Sequence, residues 1–199
     1  PYLRRRRVMV KHWNDWTLGM FGRAPDFLNV VISTYGSCAD AFGPQYGPNV
    51  RAYYERCREG DLMATHSLAN PQVDRSSRDV TAQTKVMAAH AVGENDRGII
   101  IRGARMLATL AAYSDELMVM PPPSGRLPDT EEAKPFAIGF AVPIATPGLR
   151  FICRPSLAQV NAASPLDHPL SYRYDESDGM VIFDDVLVPW ERVFIYRDV

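Results

Sequence analysis

At 199 residues with a formal net charge of −1, the chain is long enough to bury a sizeable core and has no excess of either sign. Its 46% hydrophobic and 23% charged residues are an ordinary globular composition, and no basic run is dense enough to argue for a nucleic-acid partner. No apolar run approaches the roughly 20 residues of a membrane-spanning helix, so no membrane association is expected.

In chain order, residues 3–21 place Met9, Trp13, Trp16 and Met20 at spacings of four, three and four, a helical stripe closed by Gly22. The basic run Arg4–Arg7 on it is expected to be solvated or ion-paired. Asp26 can cap a second helix on which Phe27, Val30 or Val31, Thr34, Cys38 and Phe42 share a face. Gly43-Pro44 and Gly47-Pro48 are expected to break the chain before a third helix over about Asn49–Arg58. Beyond Arg75 the pattern changes. Lys85–Val92, the turn-rich Gly93–Gly98 and Ile99–Arg102 read as a hairpin. Leu117–Met120, Phe136–Val142, Leu149–Cys153, Met180–Phe183 and Val186–Val188 read as short strands, and a strand-like run precedes Asp198-Val199. Ser124–Lys134 reads as an exposed loop and Asn161–Ser177 as a long irregular connection. Helices first and strands afterwards predict an α+β chain of segregated layers, not a wound βαβ sheet. Cys38, Cys57 and Cys153 have no metal-ligand spacing and read as reduced, mostly buried thiols of a cytoplasmic protein. Beginning at Pro1 and stopping after a strand-like run, the chain reads as a piece of a longer polypeptide.

The stretch richest in chemistry is Asp61–Arg75, DLMATHSLANPQVDR. Pro71 biases Asn70 away from the helical region, so the segment is expected to be extended or turning. Such a loop, with donors, acceptors and the titratable His66, suits a polar cofactor, although a lone histidine before a turn is more often structural. The chain has no Gly-rich phosphate loop, no His-x-x-x-His or Cys-x-x-Cys pair and no Gly-x-Ser-x-Gly elbow. No metal site is expected. Asp175, Glu176 and Asp178 before Gly179 lack the spacing of a calcium loop and read as a solvated turn. Flavin remains open, because a flavin site needs no Gly-rich loop.

Four stretches occur in an order that resembles a known family: Gly22–Asp26 (GRAPD), Thr65–Gln72 (THSLANPQ), Arg102–Thr109 (RGARMLAT) and Phe183–Val193 (FDDVLVPWERV). They are similar to the oxygenase component of two-component, reduced-flavin-dependent phenol hydroxylases, the 4-hydroxyphenylacetate 3-hydroxylase family. The resemblance implies an acyl-CoA dehydrogenase-like fold, with residues 1–75 in an N-terminal helical domain and 76–199 in a middle β-barrel. A C-terminal helical bundle, which helps hold flavin and builds a homotetramer, would lie outside this chain. It further implies that a separate flavin reductase delivers FADH2, which with O2 forms a C4a-hydroperoxyflavin that hydroxylates a phenol ortho to its hydroxyl. Relatives act on chlorophenols or on carrier-bound tyrosine derivatives.

By the same resemblance Arg23 and His66 contact the phenol oxygen and are catalytic, while Gln72, Val73, Asp74, Arg75 and Thr109 bind flavin and 78–81 continue the loop as a lid. Phe27, Pro122 and Pro123 complete the substrate site. Two of these depart from the family pattern. Phe27 stands where phenylacetate hydroxylases carry a tyrosine, and Pro122 and Pro123 stand where they present small hydroxyl residues. Fold and flavin chemistry survive both changes; the identity of the phenol does not. Two alternatives stay open: an acyl-CoA dehydrogenase-type flavoprotein on the same fold, and a non-catalytic truncated subunit.

Overall fold

Helices come first. In a computed structural model that describes residues 2–17, 27–71, 87–121, 127–156, 166, 169 and 177–198, α1 spans Tyr2–Thr17, α2 Asn29–Ser37 and α3 Gly43–Gly60. No helix among the described residues is long and apolar enough to cross a membrane. The break expected at the two Gly-Pro pairs does not occur. Pro44 occupies the first turn of α3, where a missing N–H costs nothing, and the helix continues through Pro48. Gly47 lets the start of α3 press on the preceding 3-10 turn, Ala39–Phe42: a Cβ there would lie 2.8 Å from the Ala39 carbonyl oxygen.

The second helix begins later than its capping residue suggested, so its buried stripe is rotated. Leu28, Ile32 and Ala39 are buried, whereas Val30, Thr34 and Cys38 are exposed. The expectation of mostly buried thiols fails with it. Cys38 and Cys153 are exposed and only Cys57 is buried, because Cys38 follows the last turn of α2 on its solvent side, its Sγ 3.0 Å from the Thr34 carbonyl.

The strands are β1 (Ala64–Ser67), β2 (His90–Asn95), β3 (Gly98–Arg105), β4 (Glu116–Val119), β5 (Ile138–Pro143), β6 (Leu149–Cys153), β7 (Gly179–Pro189) and β8 (Val193–Tyr196). They form two four-stranded sheets, in the orders β1-β4-β5-β8 and β2-β3-β7-β6. The expected hairpin is β2-β3, whose turn is fixed by the Asn95 side-chain oxygen accepting from the Arg97 and Gly98 amides at 2.9 and 3.2 Å. The two apolar runs around Asp184-Asp185 are one strand, β7, in which Asp185 takes a left-handed conformation (φ 52°). Both aspartates point to cations on the neighbouring strands. Asp184 accepts from Arg150 of β6 at 2.8 Å, and Asp185 accepts a two-pronged bond from Arg102 of β3 at 2.7 Å each.

One core lies between the sheets: Ile99 and Ile101 from β3, Leu117 and Val119 from β4, Ile138, Phe140 and Val142 from β5, Val181, Phe183, Val186 and Val188 from β7. A second core lies on the other face of the first sheet, where Met118, Met120, Ala141 and Phe194 meet Leu28 and Ile32 near α2 and Val50, Tyr53 and Cys57 of α3. All four residues of β4 are therefore buried, which explains an unbroken apolar run where a half-exposed strand would alternate. Full burial of a large apolar side chain is worth about 1.5–3 kcal/mol, so these two layers carry most of the stability. Asn49 of α3 ties the helical layer to the sheet by donating to the Trp190 and Val193 carbonyls at 2.7 and 2.9 Å. A partly buried ion pair, Arg192 to Glu116 at 2.7 Å, ties the β7–β8 turn to β4.

Candidate active site

The geometry starts from β1, a short edge strand held parallel to β4 with Ala64 opposite Glu116 and His66 opposite Met118. Side chains alternate across a strand. Ala64 belongs to the core under the helices, so His66 faces that layer too. Thr65 and Ser67 face the other way, donating to the carbonyls of Thr109 (2.5 Å) and Met106 (3.2 Å).

On the helical side His66 meets Phe27, the residue two before α2, edge to face with ring centroids 5.3 Å apart and planes at 71°. Phe27, Val31 and Tyr35 follow one another at a spacing of four, and with Leu68 they pack against Met120 and its neighbours. The Tyr35 hydroxyl donates to Met120 Sδ at 3.3 Å, and burial, then the nearby Cys38, raises its pKa above the ordinary phenol value. Two of the expected substrate residues, Phe27 and His66, are thus brought together in an apolar setting. Tyr35 was not anticipated; its spacing from Phe27 was the available signal.

Thr109 lies behind β1, on the face away from His66. It is 3% exposed, in a turn whose flanking residues Leu107 and Leu110 have φ of 66° and 59°. Its hydroxyl is 2.7 Å from Asp178 Oδ1, while the Ala108 and Leu110 amides donate to the Gly179 and Ser177 carbonyls. Asp178 is therefore not part of a freely solvated turn. The Thr109 hydroxyl donates its proton to Asp178 and keeps its lone pairs for another partner. The contact joins positions 69 apart, which local sequence does not reveal.

Past β1 the chain bends along β3. The Met106 amide donates to the Ala69 carbonyl at 2.8 Å, joining the sheets at this corner, and Arg105 Nη1 donates to the Leu68 carbonyl at 3.1 Å. Arg105 is only 1% exposed, and burial pushes its pKa down to about 10, so it is still cationic at neutral pH. Among the described residues its Nε has no hydrogen-bond partner, and neither has the buried Oδ1 of Asn70. Both residues lie in the quoted motifs, yet nothing in the sequence singled out Arg105. Much of the last motif is structural: Asp184 and Asp185 stitch β7 to its neighbours, and Arg192 pairs with Glu116. Arg23, Gln72, Val73, Asp74, Arg75, Pro122 and Pro123, with the lid at 78–81, lie outside the described residues.

A family model described as "4-hydroxyphenylacetate 3-hydroxylase N terminal" matches residues 2–195. The chain is 47% identical to the 4-hydroxyphenylacetate 3-monooxygenase oxygenase component of Thermus thermophilus over 99% of its own length and 39% of that protein's. It is 38% identical to the 4-nitrophenol 2-monooxygenase oxygenase component of a Rhodococcus species, covering 96% of this chain and 35% of the relative. A crystal structure of the oxygenase component (HpaB) of 4-hydroxyphenylacetate 3-monooxygenase complexed with FAD and 4-hydroxyphenylacetate superposes with a TM-score of 0.82 at 44% identity, over 99% of this chain and 40% of that one. The shared architecture is the N-terminal part of an acyl-CoA dehydrogenase-like fold. The chain thus spans about two fifths of the length of these relatives.

Proposed function

Because this chain belongs to the 4-hydroxyphenylacetate 3-hydroxylase family, we propose that the protein it belongs to is the oxygenase of a two-component phenol monooxygenase. Its cofactor is FAD, received reduced from a separate flavin reductase, and its co-substrate is O2. The observation that carries the reading is His66 facing Phe27 on the helical side of β1, a titratable donor in an apolar, ring-lined setting suited to a phenol. The chemistry of the nearby side chains also fits a flavin. Asn70 offers an unused acceptor and Arg105 an unused donor at one corner, matching a ring system edged with both.

When bound, reduced FAD supplies two electrons to O2; one oxygen atom enters the aromatic ring and the other leaves as water. The residues of this chain do the rest. His66 holds or accepts the phenol proton, and Arg23 stabilises the phenolate oxygen with a permanent charge. Phe27 closes one side without adding a hydroxyl, and Pro122 and Pro123 border the remainder of the substrate. Gln72, Val73, Asp74, Arg75 and Thr109 hold the flavin, Thr109 as a hydrogen-bond acceptor. We assign residues 1–75 to the helical domain and 76–199 to the middle domain, and read the assembled enzyme as a cytoplasmic homotetramer. The substrate class is a phenol more acidic than 4-hydroxyphenylacetate, or one anchored on a carrier. The test is a coupled assay of the full-length protein with a flavin reductase, FAD and a panel of phenols. Catechol formed in step with reduced nicotinamide consumed supports the proposal, and flavin oxidation without catechol from any phenol refutes it.

A further inference from the structure

We propose that Arg105 is a charge-receiving residue, kept buried without a counter-ion so that it meets the negative charge of a planar organic anion bound at the corner after β1. The inference rests on the function proposed above and goes beyond it, since none of the roles assigned there uses this side chain as a charge. Buried cations are ordinarily paired, as Arg192 is with Glu116 at 2.7 Å. Arg105 is more deeply buried, at 1% exposure, yet its partner is one backbone carbonyl, Leu68, at 3.1 Å. No ion pair to it occurs among the described residues, and Nε has no acceptor. Its side chain leaves β3 on the inner face and reaches the residue two beyond His66, in the corner where Asn70 Oδ1 is likewise buried and without a donor. A tie to one carbonyl needs one N–H; a guanidinium carries five in a plane. A fork of that shape and charge complements a delocalised oxyanion or its nitrogen equivalent. Two such anions belong to the proposed reaction: the deprotonated ring of the reduced flavin and the phenolate.

The experiment titrates oxidised FAD, reduced FAD and, in the presence of reduced FAD, a phenol, all without oxygen. It compares full-length wild type with Arg105→Met and Arg105→Lys, and records melting of the flavin-free proteins alongside. Removing an unpaired buried charge is expected to leave the melting temperature of Arg105→Met unchanged or higher, while affinity for one anion falls about ten- to a hundredfold. Arg105→Lys should retain part of it. A loss confined to reduced FAD identifies the flavin anion. A loss confined to the phenol, growing as pH rises through the phenol's own pKa, identifies the phenolate. Unchanged affinities overturn the inference, as do a failure of Arg105→Met to fold and a lowered melting point with equal losses for all three ligands, which make Arg105 a structural tie to Leu68. Wild type that binds no reduced FAD defeats the proposed function itself, a result distinct from a variant that keeps wild-type affinity.

Discussion

His66 projects from an edge strand towards the helices, and its ring meets Phe27 at 5.3 Å. If it holds the phenol proton, His66→Ala should lower hydroxylation about 10²–10⁴-fold while flavin oxidation continues, so that reducing equivalents are released as H2O2. The ratio of catechol to H2O2 in the coupled assay checks this, and equal loss of both would make His66 structural. Phe27 offers no hydroxyl, and a hydrogen bond to a charged group is worth about 1.5–3 kcal/mol, roughly ten- to a hundredfold. Phe27→Tyr should therefore improve turnover of free 4-hydroxyphenylacetate more than that of a chlorophenol, measured at one pH. Both residues were named from the motifs shared with the family; locally, His66 stood out only as a histidine before an Asn-Pro turn and Phe27 only as part of a helix face. Asp178 and Arg105 were not. Their significance comes from partners distant in the chain, Thr109 for one and Leu68 for the other, and from burial that composition does not report.

The elements matter because β1 is short and paired on one side, so β4 and its supports fix where His66 points. Glu116 sits opposite Ala64 and is 4% exposed. Burial raises its pKa, with Arg192 pulling the other way. A carboxyl whose folded pKa is raised keeps its proton longer in the native state, so its contribution to stability is present at low pH and lost as pH rises through the folded pKa. Removing the cation widens that window. Arg192→Met should cost about 3–5 kcal/mol at neutral pH, and the deficit should shrink as pH falls toward the ordinary carboxyl range. Denaturant titrations across pH measure this, and a deficit independent of pH would contradict the pairing. Gly103 has a different task. At φ 114° its missing Cβ lets β3 pass the Ala88 carbonyl oxygen, with which a Cβ would collide. Gly103→Ala should destabilise by more than the ~1 kcal/mol of a propensity change and disturb the Ala88–Ala104 bridge, visible as faster amide exchange at Ala89, which donates to Ala104. Strand existence was legible here, since β6 is found with the expected bounds. Misreadings had physical causes. Asp184-Asp185 divided β7 into two expected strands because their cross-strand arginines were invisible, and the Gly-Pro pairs were read as breaks although Pro44 falls in a helix's first turn.

At the scale of the whole molecule, helices before strands announced an α+β arrangement, and the two cores show how it is assembled: the first sheet carries one core on each face. That arrangement places His66 under the helices and Thr109 behind the strand. Periodicity alone could not reveal it, because β1 is only four residues long. The four quoted motifs identified the family, while the three-dimensional roles within them divide between site and scaffold. The substrate stays the least legible feature, since it depends on a few side chains such as Phe27 and not on the fold. The most direct measurement is a single turnover. Full-length protein loaded with reduced FAD in the absence of oxygen is mixed with O2 and a phenol, and products are counted per flavin. Up to one ortho-hydroxylated product per flavin is expected, with little H2O2 from a good substrate. Stoichiometric H2O2 and no hydroxylated product from every phenol tried would contradict it.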